Sequence, residues 1–373
     1  MNVELALPLL GGLSPEQFLR RYWQKKPCVI RQAVPGVRPP VDRAELFALA
    51  ARDDVESRLL VQTNGDWKLK HGPFTRRQIP PLQQARWTLL VQGLDLHVAA
   101  AHEMLSRFRF VPEARLDDLM ISYASDGGGV GPHLDSYDVF LLQVSGKRRW
   151  RCGPVKDASL VPGKPVKLLA NFQPTEDWVL EPGDMLYLPP RWGHDGIAVG
   201  DDCMTCSVGF RTPTPTETAR DVLQRMIDAL DANTDEPHYR DPAGSATATP
   251  GRIPEALQTF AAKAVIDALN DARSLACALG ESLTEPKAIV WFEGGEALVE
   301  GQGACLDRRS RMMYDDHHVF INGESFRAAG RDAKLMRAFA DERCLTARQV
   351  AALSEGAREL LAEWAFDGWV QAG

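Results

Sequence analysis

The chain has 373 residues, 45% of them hydrophobic and 25% charged, which is enough to bury cores for two or three domains and excludes a collagen-like or wholly disordered polypeptide. A net charge of -7 favours solubility and counts against a strong non-specific grip on nucleic acid or an anionic membrane. Seven cysteines, at 28, 152, 203, 206, 277, 305 and 344, do not read as a set of bridges, residues 1–13 lack a basic flank, and no apolar run reaches the roughly 18 residues a membrane helix needs, so a cytoplasmic protein is expected.

The first start signal is Ser14-Pro15-Glu16-Gln17-Phe18, in which a serine cap, a proline at the first helical position and Gln17 form a capping box; a helix to about residue 23 is predicted. Residues 28–90 mix short apolar runs with proline-rich turns, and 97–108 reads as a short helix. From 119 onward strand candidates crowd together at 119–123, 139–144, 149–152, 178–180, 185–188 and 204–210. Turn signals at 126–129, 145–147 and 181–184 separate them, the pattern of an antiparallel sandwich or barrel.

The linker Arg211-Thr212-Pro213-Thr214-Pro215-Thr216 ends the strand-rich part. A helix is predicted over 217–231, then a polar stretch over 232–252, then a helix from Pro254. Its stripe of Leu257, Phe260, Ala261, Ala264, Val265, Ala268, Leu269, Leu275, Ala276 and Leu279 needs a partner, either within the chain or in a second subunit. Strand candidates at 288–292, 297–300 and 318–321 and helices at 331–340, 346–353 and 355–366 fit a winged-helix module. Acidic residues outnumber basic ones there, which disfavours DNA as its ligand. The expected division is 1–211, with its motifs concentrated in 119–211, then 212–280 and 281–373.

One histidine sits in a His-x-acid arrangement, Gly131-Pro132-His133-Leu134-Asp135. In extended chain, residues i and i+2 face the same side, so imidazole and carboxylate can converge on one ion. A second block, Glu181-Pro182-Gly183-Asp184 through Pro189-Pro190-Arg191-Trp192-Gly193-His194, launches a strand from a tight turn, halts it at the prolines and leaves His194 just past its end. Two histidines and a carboxylate are the facial triad of non-haem Fe(II) oxygenases, open at three positions, whereas a structural zinc site closes four. Cys203-Met204-Thr205-Cys206 lacks a second pair and reads as buried thiols. An Fe(II) oxygenase commonly draws its electrons from a 2-oxo acid whose distal carboxylate needs a fixed cation. Within Gly146-Lys147-Arg148-Arg149-Trp150-Arg151, alternation sets Arg148 apart from Lys147, Arg149 and Arg151; a solvated basic strand is the competing reading.

Taken together, Trp23-Gln24-Lys25-Lys26-Pro27 behind its helix, Gly127 through Phe140, Arg148-Arg149-Trp150 and Pro189 through His194 resemble the JmjC ribosomal oxygenases. The likeness is greatest to the bacterial members that hydroxylate an arginine of large-subunit ribosomal protein L sixteen. The resemblance implies a mainly β catalytic domain of double-stranded β-helix (cupin-like) type, a helical dimerisation region and a C-terminal winged helix not used for DNA. It implies Fe(II) on His133, Asp135 and His194, with 2-oxoglutarate and O2 as cosubstrates and Arg148 on the distal carboxylate, a place where wider relatives often carry lysine. Thr205 and Ser207 are the candidates for further cosubstrate contacts. Asp126, Tyr123 and Tyr137 are candidates for holding the target arginine, against a turn-capping Asp126 and core tyrosines. A homodimer acting on a ribosomal protein is expected. The alternatives are a JmjC hydroxylase or demethylase of another protein, or a non-catalytic cupin and winged-helix transcription regulator.

Overall fold

A computed structural model of the chain describes residues 2–230, 238–242 and 244–373. The chain divides into two compact units, residues up to 212 with 288–291, and residues 213–287 with 292–373. The end of the helix expected over 217–231 and part of the polar stretch 232–252 lie outside the described residues.

The first unit opens with α1 (Pro15–Arg21), where the Ser14 hydroxyl accepts from the Gln17 N–H and the Gln17 side chain accepts from the Ser14 N–H. Next come β1 (Cys28–Ile30), α2 (Arg43–Leu49), β2 (Ser57–Thr63), β3 (Asp66–His71), β4 (Trp87–Val91), α3 (Leu94–His97) and α4 (Ala99–Ser106). The strand-rich part follows as β5 (Leu116–Ala124), β6 (His133–Leu134), β7 (Val139–Pro154), β8 (Glu176–Leu180), β9 (Met185–Leu188) and β10 (Trp192–Phe210). These strands form one antiparallel sheet in the order β1-β9-β7-β10-β5-β4-β2-β3, with β6 added to β10 and β8 to β7.

Two long strands make this sheet curl. β7 pairs with β9 over its first residues and with β8 over its last, while β10 pairs with β6, β7 and β5. Ser145-Gly146-Lys147, read from sequence as a turn between two strands, is instead a bend inside β7. The register slips opposite it, between Val199 and Met204 of β10, and such an irregularity lets a strand change direction without losing its partner. The result is the double-stranded β-helix expected from the sequence.

The core behind this sheet is aromatic: the Phe140 ring lies 5.0 Å from both Phe108 and Tyr187 and 5.5 Å from Phe18. Burying each such ring contributes about 1.5–3 kcal/mol. Asp138, fully buried, accepts from the Tyr187 hydroxyl at 2.7 Å and from Gln24 Nε2 at 3.0 Å. Gln24 of the Trp-Gln-Lys-Lys-Pro segment therefore anchors the loop that carries Asp135.

The second unit contains α5 (Pro215–Asp228), α6 (Glu255–Leu269), α7 (Ala272–Thr284), β11 (Ala304–Leu306), β12 (Met312–Tyr314), β13 (His318–Ile321), β14 (Glu324–Arg327), α8 (Gly330–Glu342), β15 (Cys344–Leu345), α9 (Ala347–Ala351), α10 (Glu355–Phe366) and β16 (Val370–Ala372). Its two small sheets, β15-β11-β16 and β12-β13-β14, share a core with Phe339, Leu361 and Trp364, as a winged helix requires. The stripe from Leu257 to Leu279 is split over two helices because Asp271 caps α7, accepting from the Arg273 N–H at 3.0 Å. No residue of α6 is buried, and Leu257, Phe260, Val265, Ile266 and Leu269 are exposed along with Leu275 and Leu279 of α7.

Two expectations fail in this unit's neighbourhood. Segments 288–292 and 297–300 are irregular, not strands; Phe292 instead lies 6.2 Å from Trp369 with its ring tilted by 60°, and Leu298 packs against the terminal core. Cys305 and Cys344, register partners on β11 and β15, form a disulfide, a pairing that a sequence separation of 39 hid from the sequence. Among the described residues no helix is long and apolar enough to cross a membrane.

Candidate active site

The strand register builds the centre of the site. His133 on β6 and His194 on β10 are direct cross-strand partners, their ring centroids 4.2 Å apart, and Asp135 follows immediately after β6. His194 is the third residue of β10, inside the strand that begins after the Pro189-Pro190 break and not in a loop beyond β9. The Arg191 N–H donates to the Asp135 carbonyl and turns the chain at once. Gly131, at φ 79°, makes the turn into β6 at a point where a Cβ would come within 2.5 Å of Leu168.

One donor atom from each of His133, Asp135 and His194 lies within 4.8 Å of the others, and His194 Nε2 is 3.6 Å from an Asp135 oxygen. His133 Nδ1 sits 2.8 Å from the Gly131 carbonyl and His194 Nδ1 3.0 Å from the Trp192 carbonyl. A carbonyl only accepts, so each Nδ1 carries the proton and each Nε2 turns its lone pair toward the centre. Burial first, and then the neighbouring His133, lower the His194 pKa to about 4, which keeps that imidazole neutral.

These residues line a cavity of about 340 Å³, in the range of small-molecule sites. On one wall Arg148 is 4% exposed; its Nε donates to Cys203 Sγ at 3.4 Å, and its Nη2 has no partner. Arg149, by contrast, is exposed and paired with Asp177. Thr205 and Ser207 of β10 and Tyr137 also line the cavity.

Tyr123 and Asp126 do not reach the cavity. Tyr123 is 1% exposed, lies 5.2 Å from Trp87 and donates to Asp202; burial and then Asp202 push its hydroxyl pKa up to about 12. It is a core residue because strand alternation turns it to the opposite side from Ser122. Asp126 accepts from the Gly200 N–H at 2.8 Å and caps a turn. Two acids that the sequence reading passed over do line the cavity, Asp117 and Asp118 at the start of β5. Asp118 is buried and accepts from Gln92 Nε2 at 2.8 Å, while Gln92 Oε1 accepts from Arg58 at 3.0 Å. Burial, then the charges of Asp135 and Asp118, raise the pKa of the Tyr137 hydroxyl. The signal that could have found Asp118 is alternation: Asp118, Met120 and Ser122 share a face of β5 and all line the cavity.

Comparison with known proteins agrees with this geometry. Residues 103–218 match the JmjC domain family and residues 267–371 the ROXA-like winged helix. The chain is 40% identical over 220 residues to the ribosomal protein uL16 3-hydroxylase of Escherichia coli, an alignment covering 58% of each protein. It is 37% identical over 233 residues to a probable ribosomal oxygenase of Haemophilus influenzae, covering 61% of this chain and 55% of that protein. These alignments thus span less than two thirds of either relative. An X-ray structure of E. coli YcfD superposes with a TM-score of 0.84 at 28% identity, over 97% of this chain and 98% of that one. The same E. coli ribosomal oxygenase in complex with cobalt and 2-oxoglutarate superposes with a TM-score of 0.77 at 29% identity, over 96% and 98%. The chain thus combines a JmjC domain with a ROXA-like winged helix, and over nearly its whole length it shares the fold of the E. coli ribosomal oxygenase.

Proposed function

We propose that the chain is a cytoplasmic, Fe(II)- and 2-oxoglutarate-dependent dioxygenase that hydroxylates an arginine side chain of ribosomal protein uL16 and acts as a homodimer. The observation that carries this reading is the meeting, in one cavity, of a two-histidine, one-carboxylate donor set with a buried arginine whose Nη2 has no partner. The uL16 hydroxylase relative and the 2-oxoglutarate complex of the E. coli oxygenase support it.

The donor set fits the metal. Two imidazoles and one carboxylate on one side suit Fe(II) with positions left for cosubstrate and O2, and no cysteine lines the cavity to favour zinc. Bound Fe(II) with 2-oxoglutarate supplies insertion of one atom of O2 into a C–H bond, with succinate and CO2 as co-products. The protein's part is placement. His133, Asp135 and His194 hold the metal, and Arg148 takes the distal carboxylate with Thr205 and Ser207 beside it. At the other end Asp118, fixed by Gln92, pairs with the target guanidinium, while Tyr137 and Met120 flank its methylenes. Asp118 thereby takes the role for which Asp126 was a sequence candidate. The exposed apolar residues of α6 and α7 form the face a second copy covers.

Mass spectrometry of ribosomal proteins from cells with and without the gene tests the substrate. One added oxygen on a uL16 arginine is expected only when the gene is present; an unchanged modification in its absence overturns the assignment.

A further inference from the structure

We propose that Trp150 is a second cosubstrate-binding residue, its indole N–H donating to the carboxylate that Arg148 holds; this rests on the 2-oxo acid reading above. Trp150 lies two residues beyond Arg148 on β7, so both side chains leave the same face of the strand. Both line the cavity, at 5% and 4% exposure. The guanidinium carbon is 5.8 Å from the Trp150 ring centroid, and that ring is 5.9 Å from the His194 ring. The indole is therefore a neighbour of both the fixed cation and one of the candidate metal donors.

The ring is held in one orientation. Gly196 is its register partner on β10, and a Cβ there would come within 2.5 Å of Cζ3 and 2.6 Å of Cη2. The benzene edge is thus seated on glycine backbone, with Nε1 on the ring's other edge. Nε1 has no hydrogen-bond partner in the protein, and neither does Arg148 Nη2. A buried donor without an acceptor is costly. Two of them, on neighbouring side chains in one cavity, call for a ligand with two acceptor atoms on one group, which a carboxylate provides. The indoles of Trp87 and Trp364 also lack partners and, like Trp150, pack against apolar side chains, but they line no part of this cavity.

Hydrogen-bond accounting removes the obvious rival. Gln143 Nε2 donates to the Ser145 carbonyl at 2.7 Å, which turns its Oε1 to Thr205 at 2.8 Å. The Thr205 hydroxyl proton is committed to that oxygen, and Thr205 offers the cavity lone pairs only. It cannot donate to a carboxylate while Gln143 is so held, whereas Trp150 can only donate. Arg148 Nε is engaged by Cys203, while Nη2 and Trp150 Nε1 are two buried donors without protein partners on adjacent side chains, with the Ser207 hydroxyl also on this cavity.

The test uses the full chain loaded with Zn(II) and labelled at its indole nitrogens. Titration with 2-oxoglutarate should move downfield the indole N–H resonance that is missing from Trp150→Phe, and titration with 2-oxopentanoate, which lacks the distal carboxylate, should not. By calorimetry, Trp150→Phe should weaken 2-oxoglutarate about tenfold and change 2-oxopentanoate by less than about twofold. A stationary Trp150 resonance at saturation in the wild type, or equal losses for both acids in the variant, overturns the proposal. Failure of the wild type to bind 2-oxoglutarate at all overturns the functional reading on which it rests.

Discussion

At the scale of single residues, the proposed site has candidate donors for the metal and candidate groups for positioning ligands, and the two classes should fail differently. His133→Ala or Asp135→Ala removes a donor that strand register places; we expect loss of bound metal by elemental analysis and of substrate-dependent succinate formation, and retained turnover would contradict the metal assignment. Asp118→Asn keeps shape and removes charge. A hydrogen bond to a charged group contributes about 1.5–3 kcal/mol, so KM for a uL16 peptide should rise roughly tenfold or more while KM for 2-oxoglutarate holds. His133 and Asp135 were legible because i and i+2 on extended chain need no further information to converge. Asp118 was not, because the strand predicted from the sequence starts at Leu119, one residue too late to include this cavity-lining side chain. Tyr123 shows the same rule from the other side: alternation from Asp118 turns it into the core.

Among elements, the turn from β8 to β9 illustrates how a loop sequence becomes a fixed corner. Asp184 is buried, which raises its pKa, but the N–H groups of Gln32 and Glu181 and the Arg31 guanidinium outweigh that and lower it overall. A depressed carboxylate stabilises the fold above its unfolded value of about 3.9 and loses that contribution as pH falls through the lower folded value. We expect Asp184→Ala to cost about 1–3 kcal/mol in denaturant titrations at neutral pH, with the gap to wild type closing in acid. The Glu-Pro-Gly-Asp turn was readable as a turn, and its partners around Gln32 were not, since they lie some 150 positions away. The apolar stripe of α6 and α7 was readable from its period, while the break at Asn270-Asp271 depended on a cap. Leu269→Glu places a charge in that exposed face, and sedimentation should show a shift from dimer to monomer; a wild type that is already monomeric would remove the interface.

For the whole molecule, the net charge of -7 bears on association with a basic partner. Charge attraction is screened over roughly 8–10 Å at physiological salt, so KM for a uL16 substrate should rise with ionic strength while succinate formation at saturating substrate changes little. An unchanged KM between low and moderate salt would show that apolar contacts dominate. The class of fold was legible from the crowding of short strands and turns. The bending of β7 and β10 into two-sided strands was not, because a continuous strand with one slip in register looks in sequence like two strands and a turn.

The cross-strand pairing of His133 with His194 also ties the candidate metal site to the completeness of the sheet. The two positions are 61 residues apart, and β7, β8 and β9, folded between them, shorten the loop that their pairing has to close. Two of the three candidate donors therefore come together only where β6 and β10 pair. We expect a chain in which β6 and β10 have not paired to lack the three-donor set, so that metal binding is gained together with the closed sheet.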